Sequence, residues 1–251
     1  DSLTEDSFLL NGKRQSEKEI SKISRFLDLF CEYIGKRPFA RVESINFVPT
    51  AAGLASSASA FAALALAVED ALKLDLSRQD LSTIARRGSG SSTRSLFGGF
   101  VEWDMGTSSE DSMAYPIDDA NWNIGMLVLV VDSQKKKIAS RIGMEHTVET
   151  SPFYPAWVET AREDLQAIKK AIAEKDFETL GRITEHNGFK MHATTLSANP
   201  PFTYWSADSL LAQEAVRQVR EDLHVPAYMT MDAGPNVKVL CRASDMERLI
   251  A

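Results

Sequence analysis

Cysteine is scarce in this chain: among 251 residues only Cys31 and Cys241 are cysteines, far apart and without metal-ligand spacing. A disulfide framework or a Cys-rich zinc module is therefore excluded, and reduced thiols suit a cytosolic protein. Positive charge is also in deficit. Twenty-eight Lys and Arg face 35 Asp and Glu, for a net charge of −7, so no global basic face serves nucleic acid or an anionic membrane, and any phosphate site must be local. Long apolar runs are missing too. The most apolar segment, Ala60 to Ala67, is alanine-heavy and far short of the roughly 20 residues that cross a bilayer. No signal-peptide pattern, internal repeat, linker or low-complexity segment is visible. What remains is ordinary for a globular protein, with 44% hydrophobic and 25% charged residues and enough length for one large domain or two intimately packed lobes.

In chain order, Ser7 to Leu10 predicts a short strand and Asn11-Gly12 a tight turn. Ser16 with Glu19 forms a capping pattern ahead of Ile20, Ile23, Phe26, Leu27, Phe30 and Ile34, whose steps of three and four predict a helix burying one face. Arg41 to Phe47 reads as a strand through Val42, Ile45 and Phe47. Ser77 with Asp80 opens a further helix ending near Gly88, followed by a polar loop from Ser89 to Thr93. Phe97 to Trp103 reads as a strand with room for a bulge at Gly98-Gly99, and Ile124 to Val131 as a strand buried on both faces. Beyond Pro155 the pattern turns helical: a stripe of Trp157, Ala161, Leu165, Ile168 and Ile172, then helices over about 176–194 and 207–223. Strands at 227–231 and 237–241 bracket Asp232-Ala-Gly-Pro-Asn236, and Ser244 is placed to cap a last helix. The fold class is α+β in two lobes, mixed sheet and helix over 1–145 and more helical over 146–251, forming one integrated unit.

Around the stretch from Pro49 to Ala71 the chemistry gathers. P-T-A-A-G-L-A-S-S-A-S-A-F runs into an Ala-rich helix. Gly53 admits backbone angles closed to other residues, and the N–H groups at a helix start attract anions. An ordinary Ser-capped buried helix accounts for the same residues equally well. Asp232, at a strand end before a Gly-Pro turn, stands where functional residues are commonly exposed, yet on residue type alone capping that turn is the more ordinary role. Arg94 carries a planar fork suited to carboxylate or phosphate, although a lone loop arginine is usually just solvated. His186 and His192 lie six apart, off any shared helical face for zinc, and packing or surface roles are expected for all four histidines.

The order P-x-x-x-G-L-x-S-S-x-S resembles the phosphate loop of the GHMP kinase superfamily; no Gly-Lys-Ser/Thr of a Walker loop follows. S-G-S-S-T-R-S at Ser89 to Ser95, K-K-K-I-A-S-R-I-G-M at Lys135 to Met144, M-H-A-T at Met191 to Thr194 and M-D-A-G-P-N-V-K at Met231 to Lys238 narrow the match. Together they resemble the diphosphomevalonate decarboxylase family over nearly the whole chain. The resemblance implies a two-lobed GHMP kinase fold and ATP-dependent decarboxylation of 5-diphosphomevalonate to isopentenyl diphosphate, with ATP and Mg2+ as cofactors. It implies Gly53, Leu54, Ala55, Ser56, Ser57 and Ser59 at the nucleotide, and Ser89, Gly90, Ser91, Ser92, Thr93, Arg94 and Arg141 at the substrate. Asp232 would be the catalytic aspartate acting on the C3 hydroxyl, with Arg94 and Ser140 at the reacting centre. It implies a small-molecule substrate, no nucleic acid or membrane partner, a cytoplasmic setting, and it admits a homodimer. Family members carry an N-terminal Tyr-Trp-Gly-Lys stretch with no counterpart here, and the chain, opening at Asp1-Ser2-Leu3, reads as a fragment. Open rivals are a mevalonate or phosphomevalonate kinase, a phosphomevalonate decarboxylase, and a non-catalytic phosphate-ligand binder.

Overall fold

The computed structural model describes residues 3–47, 56–132 and 138–250. The chain divides into two compact units, the described residues up to 119 and those from 120 onward. The sequence reading drew its line after residue 145. The difference arises because the strand near 125 pairs with one near 240 and so belongs with the C-terminal half.

The first unit opens with β1 (Ser7–Leu10) and β2 (Lys13–Arg14), an antiparallel hairpin. Its turn needs positive φ at both residues, 51° at Asn11 and 74° at Gly12, which this dipeptide tolerates. Helix α1 (Glu17–Leu27) starts where Ser16 accepts a hydrogen bond from Glu19 N at 3.4 Å. A 3-10 turn and the short α2 (Cys31–Ile34) continue it. β3 (Arg41–Ser44) then pairs parallel with β1, giving the order β2-β1-β3. The strand stops short of Phe47, and its alternation turns Val42 and Ser44 inward while Ile45 and Phe47 are 70% and 91% exposed. The expected apolar face through Ile45 and Phe47 is thereby corrected: a period of two starting at Val42 cannot also bury Ile45.

Helix α3 (Ser56–Leu72) packs Phe61 and Ala65 against Phe26, Phe30, Leu81, Ile84 and Ala85, the core of this unit. α4 (Arg78–Gly88) is capped by Ser77, which accepts from Asp80 N at 3.1 Å. The polar stretch after it is a 3-10 turn, Gly90–Leu96, rather than a loop. β4 (Phe100–Trp103) and β5 (Ala114–Asp118) form an antiparallel pair with an irregular register between Phe100 and Val101. Asp6, the residue before β1, has a largely enclosed side chain. It accepts from Arg37 Nη2 at 2.7 Å, Arg37 Nη1 at 2.9 Å and Ala40 N at 2.8 Å, and the arginine's hydrogen bonds hold its pKa at about 2 against the opposing effect of burial. A carboxylate depressed in the folded state stabilises above its unfolded pKa, so this contribution, roughly 2 kcal/mol, is present above about pH 4 and lost as pH falls toward 2. Urea midpoints of the wild type and Asp6→Asn should therefore converge across that window; a constant gap would contradict the ion pair's role.

The second unit starts with β6 (Gly125–Leu129), which pairs antiparallel with β8 (Val237–Cys241); β8 also pairs with β7 (Ala227–Thr230), giving the order β6-β8-β7. The expectation that this first strand is buried on both faces is corrected. β6 lies at the sheet's end, with Leu127 and Leu129 against the core while Met126, Val128 and Val130 are about half exposed. Helix α5 (Ser140–Thr150) went unforeseen, and its Ala139 N-cap supplies no side-chain bond. α6 (Tyr154–Ala173), α7 (Phe177–Leu196) and α8 (Ala207–Asp222) match the helical expectation, followed by the short α9 (Met246–Ile250). Ser244 lies inside a 3-10 turn and its hydroxyl accepts from Asn123 Nδ2 at 3.0 Å.

α7 is fitted to β7 along one stripe. Glu178 receives the Tyr228 hydroxyl, Gly181 faces the Tyr228 ring, Glu185 accepts from Met229 N, Gly188 faces Thr230, and His192 Nε2 meets Met231 O. These positions, spaced three and four apart, share a helix face. A Cβ at Gly181 would overlap the Tyr228 ring, which is backed by Phe177 at 6.0 Å and Arg220 at 5.4 Å. Gly181→Ala is expected to lose about 1–3 kcal/mol to overpacking despite alanine's better helix propensity; a raised melting temperature would contradict this fit.

Candidate active site

In the first unit, Ser56, Ser57 and Ser59 form the opening turn of α3, Ser57 and Ser59 being exposed. Gly53, Leu54 and Ala55 lie outside the described residues, as do Lys135, Lys136 and Lys137. The two serine motifs meet: Ser57 Oγ is 3.2 Å from Ser89 Oγ. Ser89 ends α4, and Gly90 and Ser91 follow it partly open at the start of the 3-10 turn. Ser92 and Thr93 are fully buried and their hydroxyls have no hydrogen-bond partner among the described residues, so the polar loop expected over Ser89 to Thr93 is corrected at these two residues. Their side chains turn inward, and packing beside α3 and α4 overrides the composition. Arg94 follows immediately, exposed, with no side-chain partner for its guanidinium among the described residues.

In the second unit, Asp232 leaves the end of β7 on a turn held from several elements. Gly234 N donates to Asp232 O at 2.8 Å. Ser209 Oγ of α8 donates to Pro235 O at 2.7 Å. The buried Asn236 accepts at Oδ1 from Val131 N at 2.9 Å and Asp132 N at 3.1 Å. From α7, His192 Nε2 stands 3.2 Å from Met231 O. Burial lowers the pKa of His192, more than the carbonyl and Asp232 raise it. The carbonyl can only accept, so Nε2 carries the proton and donates, leaving Nδ1 enclosed without a partner among the described residues. Finally, Lys238 Nζ of β8 donates to Asp232 Oδ2 at 2.8 Å. The two side chains differ sharply in exposure, 10% for Lys238 and 68% for Asp232.

Ser140 and Arg141 are the first two residues of α5, at the helix end whose dipole favours an anion. Arg141 is exposed. Sequence reasoning assigned no role to Lys238 or Asn236 and expected only packing or surface roles of His192. One signal was available, a lysine in the otherwise apolar run Val-Lys-Val-Leu-Cys of β8. Of the remaining histidines, His146 Nε2 lies 2.8 Å from Pro200 O, and His186 and His224 are exposed. Among the described residues no three His, Cys, Asp or Glu side chains converge to hold a metal ion, and no helix is long and apolar enough to cross a membrane.

Comparison with known proteins adds two family matches. A diphosphomevalonate decarboxylase-like N-terminal domain matches residues 1–114, and a mevalonate 5-diphosphate decarboxylase C-terminal domain matches residues 126–251. A diphosphomevalonate decarboxylase of Candida albicans is 39% identical over 215 residues, covering 84% of this chain and 59% of that protein. The chain thus spans less than two thirds of that relative's length. A crystal structure of mevalonate diphosphate decarboxylase from Staphylococcus aureus aligns with a TM-score of 0.94 at 48% identity, over 99% of this chain and 75% of that one. A structure described as MDDEF in complex with MVAPP, AMPPCP and magnesium aligns with a TM-score of 0.93 at 52% identity, over 99% and 76%.

Proposed function

The chain belongs to the diphosphomevalonate decarboxylase family, and from that premise we propose that it catalyses ATP-dependent decarboxylation of 5-diphosphomevalonate to isopentenyl diphosphate, ADP, phosphate and carbon dioxide, in the mevalonate route to isoprenoids. The observation that carries the reading is Asp232, an exposed carboxylate on a turn clamped from β8, α7 and α8. Such a group can take the proton of the C3 hydroxyl as that oxygen attacks the γ-phosphorus of ATP and ADP departs. The C3–O bond then breaks with phosphate leaving. The electron pair of the bond to the carboxylate forms the alkene, and carbon dioxide is released.

The other residues position and compensate charge. Ser56, Ser57 and Ser59 with the N-terminus of α3 would receive the nucleotide phosphates, and Ser89, Gly90 and Ser91 the diphosphate tail. Ser92 and Thr93 contribute through the main chain, since their hydroxyls point inward. Arg94 and Arg141 would hold the anionic ends, and Ser140 would orient the reacting centre. Binding of the carboxylate must stay modest, because holding it more tightly in the ground state than in the transition state would slow its loss. Magnesium would travel with ATP, held by phosphate oxygens and water, in keeping with the neighbour whose description names magnesium and AMPPCP. Both cysteines are free thiols, and the cytosol is the compartment we assign.

The test follows ADP and carbon dioxide together, with ATP, magnesium and 5-diphosphomevalonate, and with mevalonate and its monophosphate as comparison substrates. Equal release of both products from the diphosphate alone is the expected result. ADP without carbon dioxide would replace the reading by a kinase, and tight binding without either product by a binding protein.

A further inference from the structure

The middle of β8 is an unusual place for a lysine. The strand is buried along its whole length, and Lys238 is 8% exposed, so its ammonium has left most of its hydration behind. Such a charge is retained only where a partner compensates it. Here Asp232 Oδ2 lies at 2.8 Å, across the turn. The asymmetry of the pair is informative. The pair joins a buried cation to a carboxylate that is 68% exposed and so remains open to a ligand on its other side. The cation reaches up from beneath, and one carboxylate oxygen is tied while Oδ1 has no partner among the described residues.

We infer that Lys238 is a positioning residue: it fixes the Asp232 carboxylate in one rotamer, holding Oδ2 and presenting Oδ1 to the hydroxyl from which a proton is taken. The inference rests on the decarboxylase reading of Asp232 and deepens it. A short exposed aspartate on a turn otherwise samples several rotamers, and a base displaced from hydrogen-bond reach works poorly even when its charge is right. Main-chain contacts from His192, Ser209 and Gly234 hold the turn, but none of them holds the carboxylate itself.

The experiment measures kcat, KM and both products for the wild type, Lys238→Met, Lys238→Arg, Asp232→Asn and the double variant Asp232→Asn/Lys238→Met, with melting temperatures to confirm folding. Lys238→Met is expected to lower kcat about tenfold or more while KM stays within about threefold, the signature of an interaction that matters in the transition state. Lys238→Arg, which keeps a cationic donor, should recover part of the loss and stays informative if the methionine variant does not fold. In the Asp232→Asn background the methionine substitution should have almost no further effect, because its path runs through the missing carboxylate. A raised KM at unchanged kcat would mean that Lys238 touches substrate directly, and an equal penalty in both backgrounds would mean that it acts apart from Asp232; either result overturns the inference. A wild type that turns over alongside an unimpaired Lys238→Met overturns it as well and leaves the decarboxylase standing. A wild type that releases neither product removes both.

Discussion

Asp232→Asn should lower kcat by roughly 10²–10⁴-fold, the range carried by a positioned general base, while substrate affinity measured by calorimetry stays close to the wild type. Asparagine is the right replacement because of what lies beneath it. Its amide oxygen can still accept from Lys238 Nζ, so the turn keeps its anchor and the buried ammonium keeps a partner. The charge and the basic lone pair are what is lost. Alanine would leave Lys238 without this contact and mix a folding defect into the kinetics. Turnover within about threefold of the wild type would remove Asp232 from the mechanism, since no proton acceptor contributing that little fits general-base catalysis.

Arg94→Ala should lower kcat/KM by about 10²–10⁴-fold, the equivalent of two charge-assisted hydrogen bonds at roughly 1.5–3 kcal/mol each. Thermal stability should hardly change, because the guanidinium is exposed and meets no side-chain partner among the described residues. That separation of effects is the point of the experiment. A structural arginine would cost melting temperature, while a ligand-binding one costs only catalysis. Arg94→Lys should restore only part of the loss, since an ammonium cannot grip two oxygens in the plane of a fork. A kcat/KM within about threefold of the wild type for the alanine variant would assign Arg94 to solvent.

Local signals were read well because their causes are local. Ser16 and Ser77 each accept a backbone N–H three residues on, and Asn11-Gly12 needs nothing beyond its own dihedrals to turn. Failures came where distant chain decides. β6 reads as doubly buried from its apolar run, and only its place at the sheet's end leaves Met126 and Val128 open. Helix α5 lacks a capping side chain at Ala139, so it offers no start signal. Ser92 and Thr93 are polar by type and interior by packing. At the site, Asp232, Arg94 and the serines were visible as motifs, whereas the hold of Lys238 and His192 on the Asp232 turn appears only when β8 and α7 are in place.

The stripe that α7 lays along β7 also constrains how this protein can change length. Each residue of a helix advances the azimuth by about 100°. One residue inserted between Gly181 and His192 would leave Tyr228 seated against Gly181 and swing everything after it around the axis, carrying the His192 imidazole away from Met231 O. A deletion does the same in the opposite sense. An addition of about seven residues, close to two full turns, brings a side chain back to nearly the same bearing, but by then it has climbed some 10 Å past its partner. Descendants of this chain can trade many side chains on α7, but the number of residues between Gly181 and His192 is fixed by the two partners they meet, Tyr228 and the Met231 carbonyl beside Asp232.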